Sequence, residues 1–541
     1  MCIRDRCRRS YKTDADDLLL MAAHGTCSRL KTIAEPVLRQ MNDWASERSL
    51  EFGYGKCCYF VVPTRAGTRG AWTLGGSWSL FMGDHRLKRV DSLDYLGLRF
   101  HKTLTWSLHL ARAEERASKM HYRLCRLSAA TYGLKPELVK MVYSTVTERQ
   151  VLYGAPIWYD DTIRQRQRLI SLQRKMLISI TKCYRTVSNL ALSVLAGVLP
   201  LDLRASLESV TARLTRWGLS DEAELNVRKP CLGTGLTSNA IDLWRPEPAR
   251  EKLLRIGWTA DLKPRTPYSY YTDGSKQEDG RNGCAFLLVA EGQVLTERCL
   301  RLSDGATVYA AEVTAIKAAV GDAVARGLGA IDVFTDSRSA ADALNSLLSP
   351  DKGTAEIKEM VIREGVELHM HWLKAHVGHT YNERADVLAK EATQLGAVDI
   401  QLKLTKAQAK KRLSNAAIAI WQQRWTDGAV GRTTYEVFPR VRLKRIQGDF
   451  YVNQVLTGHG VFGDYQEYFH PGSDSSCFCG SQDSSMAHVL FDCPTWRLQR
   501  EKFFPRNYRA RTLGDLCLDF YSRKGVRAIV EDFLVRRLRP P

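Results

Sequence analysis

The sequence lacks the features of a membrane or secreted protein. Its apolar runs all fall short of the roughly 20 residues of a membrane-spanning helix, and LLLMAA at 18–23 is far too short. The first ten residues, MCIRDRCRRS, lack the apolar core of a secretory signal. The 14 cysteines are scattered over 541 residues rather than gathered in a small disulfide framework. These absences favour an intracellular protein of the nucleus and cytoplasm, with reduced thiols and no membrane partner.

Acidic residues are the minority among the charged ones. Lys and Arg number 79 against 59 Asp and Glu, which gives a formal net charge of +20. Such a balance is typical of proteins that bind nucleic acid, although on charge alone a merely soluble basic protein is an alternative. Internal repeats and low-complexity tracts are also missing, and the 44% apolar content is that of a globular protein. A chain of this length is expected to form three or four domains.

Between residues 266 and 397 the hydrophobic pattern alternates between strand and helix. Three strand-like runs, YSYYTDG, GCAFLLVA and VLTERCLRL, are joined by turns at EDGRNG and EGQ. A helix over 309–326, the strand IDVFTD, a helix over SAADALNSLL, the strand VELHMHWL and a helix over ERADVLAKEATQL follow. Three antiparallel strands followed by alternating helices and strands predict an α/β layer fold with a five-stranded mixed sheet.

Four acidic residues and one histidine in this region have the order and local contexts that a two-metal nuclease requires. They are Asp273 in YYTDGS, Glu312 in YAAEVTAI, Asp336 in VFTDSRSA, His376 in WLKAHVGH and Asp386 in NERADVLA. The pattern predicts Asp273 and Asp336 at the ends of neighbouring strands, Glu312 in the first turn of the long helix, and Asp386 at the start of the last helix. Hard Mg²⁺ prefers carboxylate oxygens, and two such ions can activate water and offset the charge of a phosphodiester under attack. His376, on the loop before the last helix, is a candidate proton carrier.

Each of these residues also has a purely structural explanation. Asp273 and Asp336 are acceptable turn formers after strands, and Asp386 is an acid that the helix dipole favours. Taken one at a time, the structural explanations are the stronger ones. Five coincidences in the correct order favour cleavage of a phosphodiester backbone instead.

With these motifs, residues 268–395 resemble a type-1 ribonuclease H domain, the family that cuts the RNA strand of RNA–DNA hybrids. The resemblance implies that two Mg²⁺ ions, which Mn²⁺ is able to replace, are bound by four carboxylates and that a histidine assists. In this chain those residues are Asp273, Glu312, Asp336 and Asp386, with His376 as the auxiliary histidine.

The chain departs from the family pattern at two places. Tyr381 stands where the family usually has a glycine before the Asn-Glu pair, and no basic protrusion lies between the helix at 338–348 and the fifth strand. Binding of an RNA–DNA hybrid is therefore expected to depend on other domains of the chain.

The amino-terminal region contains the pair Asp16 and Asp17 before an apolar strand-like run. A helix, Lys56 in a strand-like stretch and a DYLG turn follow, and this order resembles the second half of a reverse-transcriptase palm followed by a helical thumb. The resemblance implies that Asp16 and Asp17 bind the metal ions of the polymerase. The third metal-binding Asp and the fingers are expected upstream of this chain, so primer extension is not expected. Residues 1–10 do not continue the expected palm strand.

Cysteine and histidine cluster near the carboxyl end. Cys477, Cys479, His488 and Cys493 follow the pattern C-x-C, eight residues, H, four residues, C, and three thiolates with one imidazole suit tetrahedral Zn²⁺. The alternative is an accidental cluster of reduced cysteines beside a surface histidine. The rival ligands His459 and His470 lie outside the compact spacing, and Cys517 is expected in a helical core.

The Cys/His segment resembles the zinc knuckle that ends the polyprotein of non-LTR (LINE-like) retrotransposons. Four basic residues follow the cluster and are expected to contact nucleic acid: Arg497, Arg500, Lys502 and Arg506. With the preceding regions, the order resembles the carboxyl-terminal portion of such a polyprotein. The resemblance implies three partners, an RNA–DNA hybrid, the element's RNA and its target DNA, and a place in target-primed reverse transcription.

The predicted organisation has seven parts. They are a partial palm (1–103), a helical thumb (104–205), a linker (206–265), a ribonuclease H domain (266–397), a basic helical region (404–445), a zinc knuckle (446–500) and a basic helical tail (501–541). The leading functional hypothesis is a hybrid-specific endoribonuclease. A nucleic-acid-binding remnant without catalytic activity is the main alternative, and a domesticated Holliday-junction or integrase-type nuclease is a third.

Overall fold

The computed structural model describes residues 9–14, 17–23, 27–62, 79–218, 232, 234–245, 254–472 and 476–538. They form two compact units: the first holds the described residues up to Val210 and from Ala416 onward, and the second holds most of those between Thr211 and Asn415. In this described part, no single helix is long and apolar enough to cross a membrane. One pair of helical segments, Asn189–Ala196 with Leu201–Trp217, meets those criteria jointly but is bent by 67°.

The first unit begins with short strands and then becomes helical. Its strands are β1 (Arg9–Asp14), β2 (Asp17–Ala22), β3 (Cys58–Tyr59), β4 (Phe81–Met82), β5 (His85–Arg86), β6 (Lys88–Arg89), β7 (Ser92–Tyr95) and β8 (Leu98–His101). Its helices up to this point are α1 (Cys27–Glu47), α2 (Ser107–Leu127), α3 (Pro136–Val142), α4 (Glu148–Leu152), α5 (Ala155–Trp158), α6 (Ile163–Thr181), α7 (Asn189–Ala196) and α8 (Leu201–Ala212). Helices α2, α5, α6 and α8 share one core around the fully buried Trp158 and Leu169.

The second unit is built on one mixed sheet of six strands. They are β9 (Trp258–Thr259), β10 (Tyr268–Lys276), β11 (Asn282–Ala290), β12 (Gln293–Leu302), β13 (Ala330–Thr335) and β14 (Glu367–Trp372). Their order is β12-β11-β10-β13-β14-β9, with antiparallel pairing from β12 to β10 and parallel pairing beyond it. The prediction of a mixed sheet is confirmed, but the sequence predicts five strands and the sheet has six. The two residues of β9, which pair with Met370 and His371, are too few to produce a periodic pattern.

Helices cover both faces of this sheet. They are α9 (Val308–Ala325), α10 (Arg338–Asn345), α11 (Lys352–Glu364) and α12 (Thr380–Ala392), and α13 (Lys406–Asp427) follows. Ile316, Leu344 and Ile357 bring α9, α10 and α11 into the core on one face, whereas Leu388 of α12 packs on the other. Helix α11 was missed from the sequence because the positions it buries, Thr354, Ile357 and Lys358, include only one large apolar residue.

The remaining helices return to the first unit. They are α14 (Arg432–Val437), α15 (Phe450–Thr457), α16 (Gly463–Phe469), α17 (Arg497–Phe503), α18 (Leu513–Leu518) and α19 (Phe520–Leu538). Helix α13 crosses from the second unit to the first at Ala416. Within the first unit, Arg424 pairs with the buried Asp202 of α8 at 2.7 Å, and the hydroxyls of Tyr465 and Thr186 lie 2.8 Å apart. The carboxyl-terminal segments therefore pack in the same unit as the helices that the sequence assigned to a thumb.

Candidate active site

Three of the predicted carboxylates meet at one edge of the sheet. Asp273 lies on β10, Asp336 directly follows the neighbouring parallel strand β13, and Glu312 lies on α9. One carboxylate oxygen from each lies within 4.8 Å of those from the other two. Asp273 and Glu312 are each only 6% exposed, so these charges lie largely out of the solvent.

The exact positions of these residues in their elements differ from the prediction. Strand β10 continues to Lys276, and Gly274 pairs with Cys284 in the ladder, so the Asp-Gly pair is not a turn. Helix α9 begins at Val308 and places Glu312 past its first turn. Helix α12 begins at Thr380, so Asp386 lies in its middle rather than at its start. Sequence patterns locate helices and strands better than they locate their ends.

The close packing of α9 against β10 explains why a glycine, Gly274, follows Asp273. A Cβ at this position would lie 2.5 Å from the backbone nitrogen of Glu312 and 2.7 Å from the carbonyl carbon of Ala311. Real Cβ atoms do not approach backbone so closely, so any other residue would push α9 away from β10. The absence of a side chain at Gly274 thus fixes the distance between Glu312 and Asp273.

We expect Gly274→Ala to displace Glu312, to destabilise the fold by about 1–3 kcal/mol through overpacking, and to weaken divalent-metal binding. The matched control is Gly321→Ala in the same helix α9, where an added Cβ meets no atom within 4 Å. That change should raise stability by about 0.5–1 kcal/mol because alanine favours helix. Thermal unfolding with and without Mn²⁺ measures both effects, and equal behaviour of the two variants would contradict this explanation.

Helix α12 brings two further residues toward the carboxylates. The amide of Asn382 donates a hydrogen bond to a carboxylate oxygen of Asp336 at 3.3 Å. Asp386 is not among the three convergent carboxylates; it is half-buried and forms an ion pair with Lys390 at 2.6 Å. Sequence analysis missed Asn382, although it precedes Asp386 by four residues and therefore shares a helix face with it.

The exposed His376 lies on the loop between β14 and α12, as the sequence predicts. Its backbone is left-handed, with φ of 55°, a conformation that few residues other than glycine adopt. Burial raises the pKa of Asp336, and the hydrogen bond from Asn382 and the nearby His376 act in the opposite direction. His376 is therefore close enough to the carboxylates to influence their protonation.

Burial and mutual repulsion make this a site of uncompensated negative charge. Burial first, and then the charges of Asp336 and Asp386, raise the pKa of Asp273 to about 7. Burial and the neighbouring Asp273 raise the pKa of Glu312 well above its usual range. One buried oxygen of Glu312, Oε2, has no hydrogen-bond partner among the described residues. Hard oxygen ligands, excess negative charge and an unsatisfied buried oxygen all fit a divalent cation such as Mg²⁺ or Mn²⁺.

The four residues of the predicted zinc site also come together. The ligand atoms of Cys477, Cys479, His488 and Cys493 all lie within 4.8 Å of one another. The sulfurs of Cys477 and Cys493 are 3.6 Å apart, and the Cys479 sulfur is 3.3 Å from Nε2 of His488. Burial raises the pKa of the Cys477 thiol, whereas hydrogen bonds from Ser481 and His488 outweigh burial and lower that of Cys479. Three sulfurs and one imidazole nitrogen at these distances fit the donor set of Zn²⁺.

The rival residues lie elsewhere. Nδ1 of His459 is 3.0 Å from the hydroxyl of Thr186, His470 is exposed, and Cys517 is buried in α18. None of the three belongs to the cluster that the described residues form.

The Cys/His cluster is tied to the last helix. Phe533 of α19 packs on Trp496 and on Phe478, with ring centroids 5.4 Å apart in both pairs. Arg537 donates to the carbonyl of Ser476 at 2.9 Å. Arg500, which the sequence assigned to nucleic-acid contact, is 6% exposed and donates to the carbonyl of Cys493. It therefore holds the cluster together instead of facing a ligand.

The predicted polymerase residues are only partly within the described structure. Asp16 lies outside the described residues, and Asp17 begins β2 in a hairpin with β1. Lys56 ends a 3₁₀ turn just before β3 rather than lying in a strand. The DYLG turn joins β7 to β8, with positive φ at Leu96 and Gly97.

Residues 265–394 match the family model of RNase H. Among curated proteins, the chain is 29% identical over 204 residues to a putative 115 kDa protein of the type-1 retrotransposable element R1DM from Drosophila melanogaster. It is 32% identical over 206 residues to the Pol polyprotein of element R1 3 from Nasonia vitripennis, and 27% identical over 205 residues to that of R1 from Popillia japonica.

These matches cover 37%, 35% and 37% of this chain, and 19%, 51% and 82% of the respective relatives. The chain thus spans about half or less of the length of the first two relatives. Among solved structures, a ribonuclease H1 in complex with an RNA/DNA hybrid is 21% identical, with 23% of this chain and 96% of that chain covered and a TM-score of 0.21.

Proposed function

The chain carries a ribonuclease H domain and is related to non-LTR retrotransposon polyproteins, and from this premise we propose that it hydrolyses the RNA strand of RNA–DNA hybrids with two divalent cations. The observation that carries the proposal is the convergence of Asp273, Glu312 and Asp336 within 4.8 Å, inside the segment that matches the family. Burial and neighbouring carboxylates raise the pKa values of Asp273 and Glu312 and so disfavour their charged forms, and a bound cation would offset this cost.

Each residue of the site has a distinct role in this proposal. Cations bound at the carboxylates would activate a water molecule and offset the charge on the phosphate. Asp273, Glu312 and Asp336 would hold them, and Asn382 orients Asp336 through its hydrogen bond. His376 faces solvent beside the site, where an imidazole is able to carry a proton to or from the leaving group.

Asp386 is proposed as the fourth ligand on different grounds. Its charge reaches the site, because it raises the pKa of Asp273, but its carboxylate is paired with Lys390. A cation would compete with Lys390 for this carboxylate. The i,i+4 pair is weak because the Lys390 ammonium is exposed to solvent, so its release costs little.

For the Cys/His cluster we propose a structural Zn²⁺ ion. Cys477, Cys479, His488 and Cys493 would supply four protein ligands to the ion, which is the pattern of structural rather than catalytic zinc. The ion would hold the turn at His488 to the segments at Cys477 and Cys493, against which α19 packs.

The proposal is tested with the full chain and a hybrid whose RNA strand carries a label at its 5′ end. With Mg²⁺, the RNA of the hybrid should be cut at internal positions, while the same RNA in single-stranded form or in an RNA duplex should stay intact. Chelation should stop cleavage, and Mn²⁺ should restore it. Cleavage of all three substrates alike would indicate a contaminating ribonuclease and would refute the proposal.

We expect His376→Ala to slow hybrid cleavage by about tenfold to a hundredfold, less than the loss of a metal-binding carboxylate, because proton transfer assists the reaction without creating the nucleophile. His379→Ala is the matched control, because His379 lies in the same loop and its side chain makes no cap hydrogen bond to α12. Its rate should stay within twofold of the wild type. Single-turnover rates with saturating Mg²⁺ measure both variants. Equal rates for the wild type and His376→Ala would remove the histidine from the mechanism.

A further inference from the structure

Strand β9 belongs to the sheet of the second unit but lies outside the segment that matches the family. Its two residues pair in parallel with Met370 and His371 of β14, at the edge of the sheet. The match to the RNase H model begins only at Arg265, and the sequence predicts a linker before that point. The matched segment therefore does not account for what β9 does in this chain.

The segment around β9 joins two elements that flank Asp336. The backbone nitrogen of Ile256 donates to the carbonyl of Leu344 on α10 at 3.1 Å, and both side chains are buried in the same core. Nε1 of Trp258 donates to the carboxylate of Asp342, also on α10, at 2.9 Å. On its other side β9 pairs with β14. Asp336 connects β13 to α10, so a segment that fastens α10 to β14 also limits where Asp336 lies.

Trp372, the last residue of β14, carries this restraint to Asp336 directly. Its indole Nε1 donates to the backbone carbonyl of Asp336 at 3.0 Å. The ring of Trp258 meets that of Trp372 edge to face, with centroids 6.1 Å apart and an angle of 60°. The guanidinium of Arg338 lies 5.6 Å from the first ring and 6.0 Å from the second, so a cation–π contact adds to the packing.

We propose that β9 positions Asp336 for metal binding. Trp258 holds the indole of Trp372 in place, and Trp372 fixes the backbone from which the Asp336 carboxylate extends. Both tryptophans are positioning residues, because they act through Asp336 and are not among the groups that converge on the candidate metal site. Residues that orient a metal ligand govern metal affinity although they do not touch the ion.

The inference rests on the proposed function, because it concerns the same carboxylates. It extends the candidate site to a segment before Arg265 that the family match leaves out. The alternative is that β9 only stabilises the edge of the sheet. In that case its loss would lower the melting temperature without a specific change at Asp336.

The first test is calorimetric titration of the metal-free full chain with Mn²⁺. Trp372→Phe keeps a ring but removes the indole N–H, and it should raise the Kd for Mn²⁺ about tenfold. Trp258→Ala should raise it about threefold to tenfold, and Trp258→Phe, which keeps a ring beside Trp372, should recover most of the affinity. The matched control is Trp425→Phe in the first unit, which removes an indole N–H from the carbonyl of Phe438 at 2.8 Å and should leave the Kd within twofold.

The double variant Trp258→Ala with Trp372→Phe tests whether the two residues act in series. If Trp258 acts through Trp372, the double variant should bind Mn²⁺ about as weakly as the weaker single variant, because the same restraint is lost only once. If β9 only stabilises the edge of the sheet, the two substitutions act independently and any losses multiply.

Hydrogen exchange of the metal-free chain gives a readout that requires neither metal nor cleavage. The peptide that contains Asp336 should exchange about tenfold faster in Trp258→Ala and in Trp372→Phe than in the wild type, because a hydrogen bond or its support is lost. The peptide that contains Asp273 should exchange at the wild-type rate, and Trp425→Phe should change neither peptide.

These measurements separate the role of β9 from the proposed function. If the wild type fails to cut a hybrid while the Mn²⁺ affinities and exchange rates follow these expectations, the proposed function is wrong and the role of β9 stands. Unchanged exchange at Asp336, losses of Mn²⁺ affinity that multiply in the double variant, or an equal loss in Trp425→Phe would overturn the inference.

Discussion

Asp273→Asn should reduce hybrid cleavage by about a thousandfold or more. Asp273 is the buried carboxylate on the central strand β10, beside both Glu312 and Asp336, and an amide removes its charge while keeping its shape. Without that charge the site loses much of its attraction for divalent cations, because only Glu312 and Asp336 remain of the three carboxylates that converge among the described residues. Single-turnover cleavage at saturating Mg²⁺ measures the effect. Asp279→Asn, an exposed carboxylate in the next turn, is the matched control and should leave the rate unchanged.

The same substitution should stabilise the metal-free protein, which separates lost function from lost fold. The pKa of Asp273 is raised in the folded chain to about 7, so the native state holds its proton more tightly than the unfolded state, where the pKa is about 4. Stability from this group is therefore present at low pH and is lost as the pH rises from about 4 through 7. At pH 8 in chelator, Asp273→Asn should melt above the wild type. A rate that survives the substitution, or a variant that unfolds below the wild type, would contradict the assignment.

The double change Cys479→Ser with His488→Ala should reduce the zinc content of the purified chain from about one ion to near zero. It should also lower the melting temperature of the first unit by roughly 10 °C or more, because metal binding contributes directly to folding free energy. These two residues form the half-buried side of the cluster, opposite the close pair of Cys477 and Cys493. Elemental analysis and thermal melting give the two quantities.

Cys517→Ser with His459→Ala is the matched control, because it removes the same two residue types from positions outside the cluster. It should leave the zinc content unchanged, although the buried Cys517 contributes to the core of α18. A wild-type chain without zinc, or a zinc content equal in both double variants, would leave the cluster as a chance arrangement. Fragments used for this test should include α19, because Phe533 and Arg537 pack on the cluster.

The motif-bearing part of the fold was predictable because its sequence signals are local. Asp273 lies in a strand, Glu312 lies in a helix and Asp336 directly follows a strand, and the order of those elements leaves few topologies. Asn382 and the pairing of Asp386 with Lys390 were not predictable in the same way. The hydrogen bond of Asn382 and the ion pair of Asp386 depend on where α12 begins and on which face of this helix points toward the sheet. Helix α12 begins at Thr380, before the segment ERADVLAKEATQL that the apolar pattern predicts as helical.

Buried polar pairs were also beyond the reach of sequence patterns. Asp332 and His371 are fully buried on adjacent strands, and Nε2 of His371 lies 2.7 Å from the Asp332 carboxylate. Hydrogen bonds from Thr266, Arg265 and His371 outweigh burial and lower the pKa of Asp332, so the partners of this carboxylate favour its charged form. It resembles the site residues in sequence context, but its pKa shifts in the opposite direction from that of Asp273. Only the three-dimensional partners distinguish a structural acid, which has its own hydrogen-bond donors, from an acid of the candidate site.

The most direct test of the central claim follows metal occupancy and cleavage in one titration. Mn²⁺ is added to the metal-free wild-type chain and to Asp273→Asn; calorimetry reports binding, and a labelled hybrid reports cleavage. The account predicts that the wild type binds Mn²⁺ saturably, that cleavage rises over the same concentration range, and that Asp273→Asn loses both. Cleavage that saturates without matching metal binding, or metal binding that is unchanged in Asp273→Asn, would contradict the assignment of Asp273, Glu312 and Asp336 as the metal site of a hybrid-cleaving nuclease.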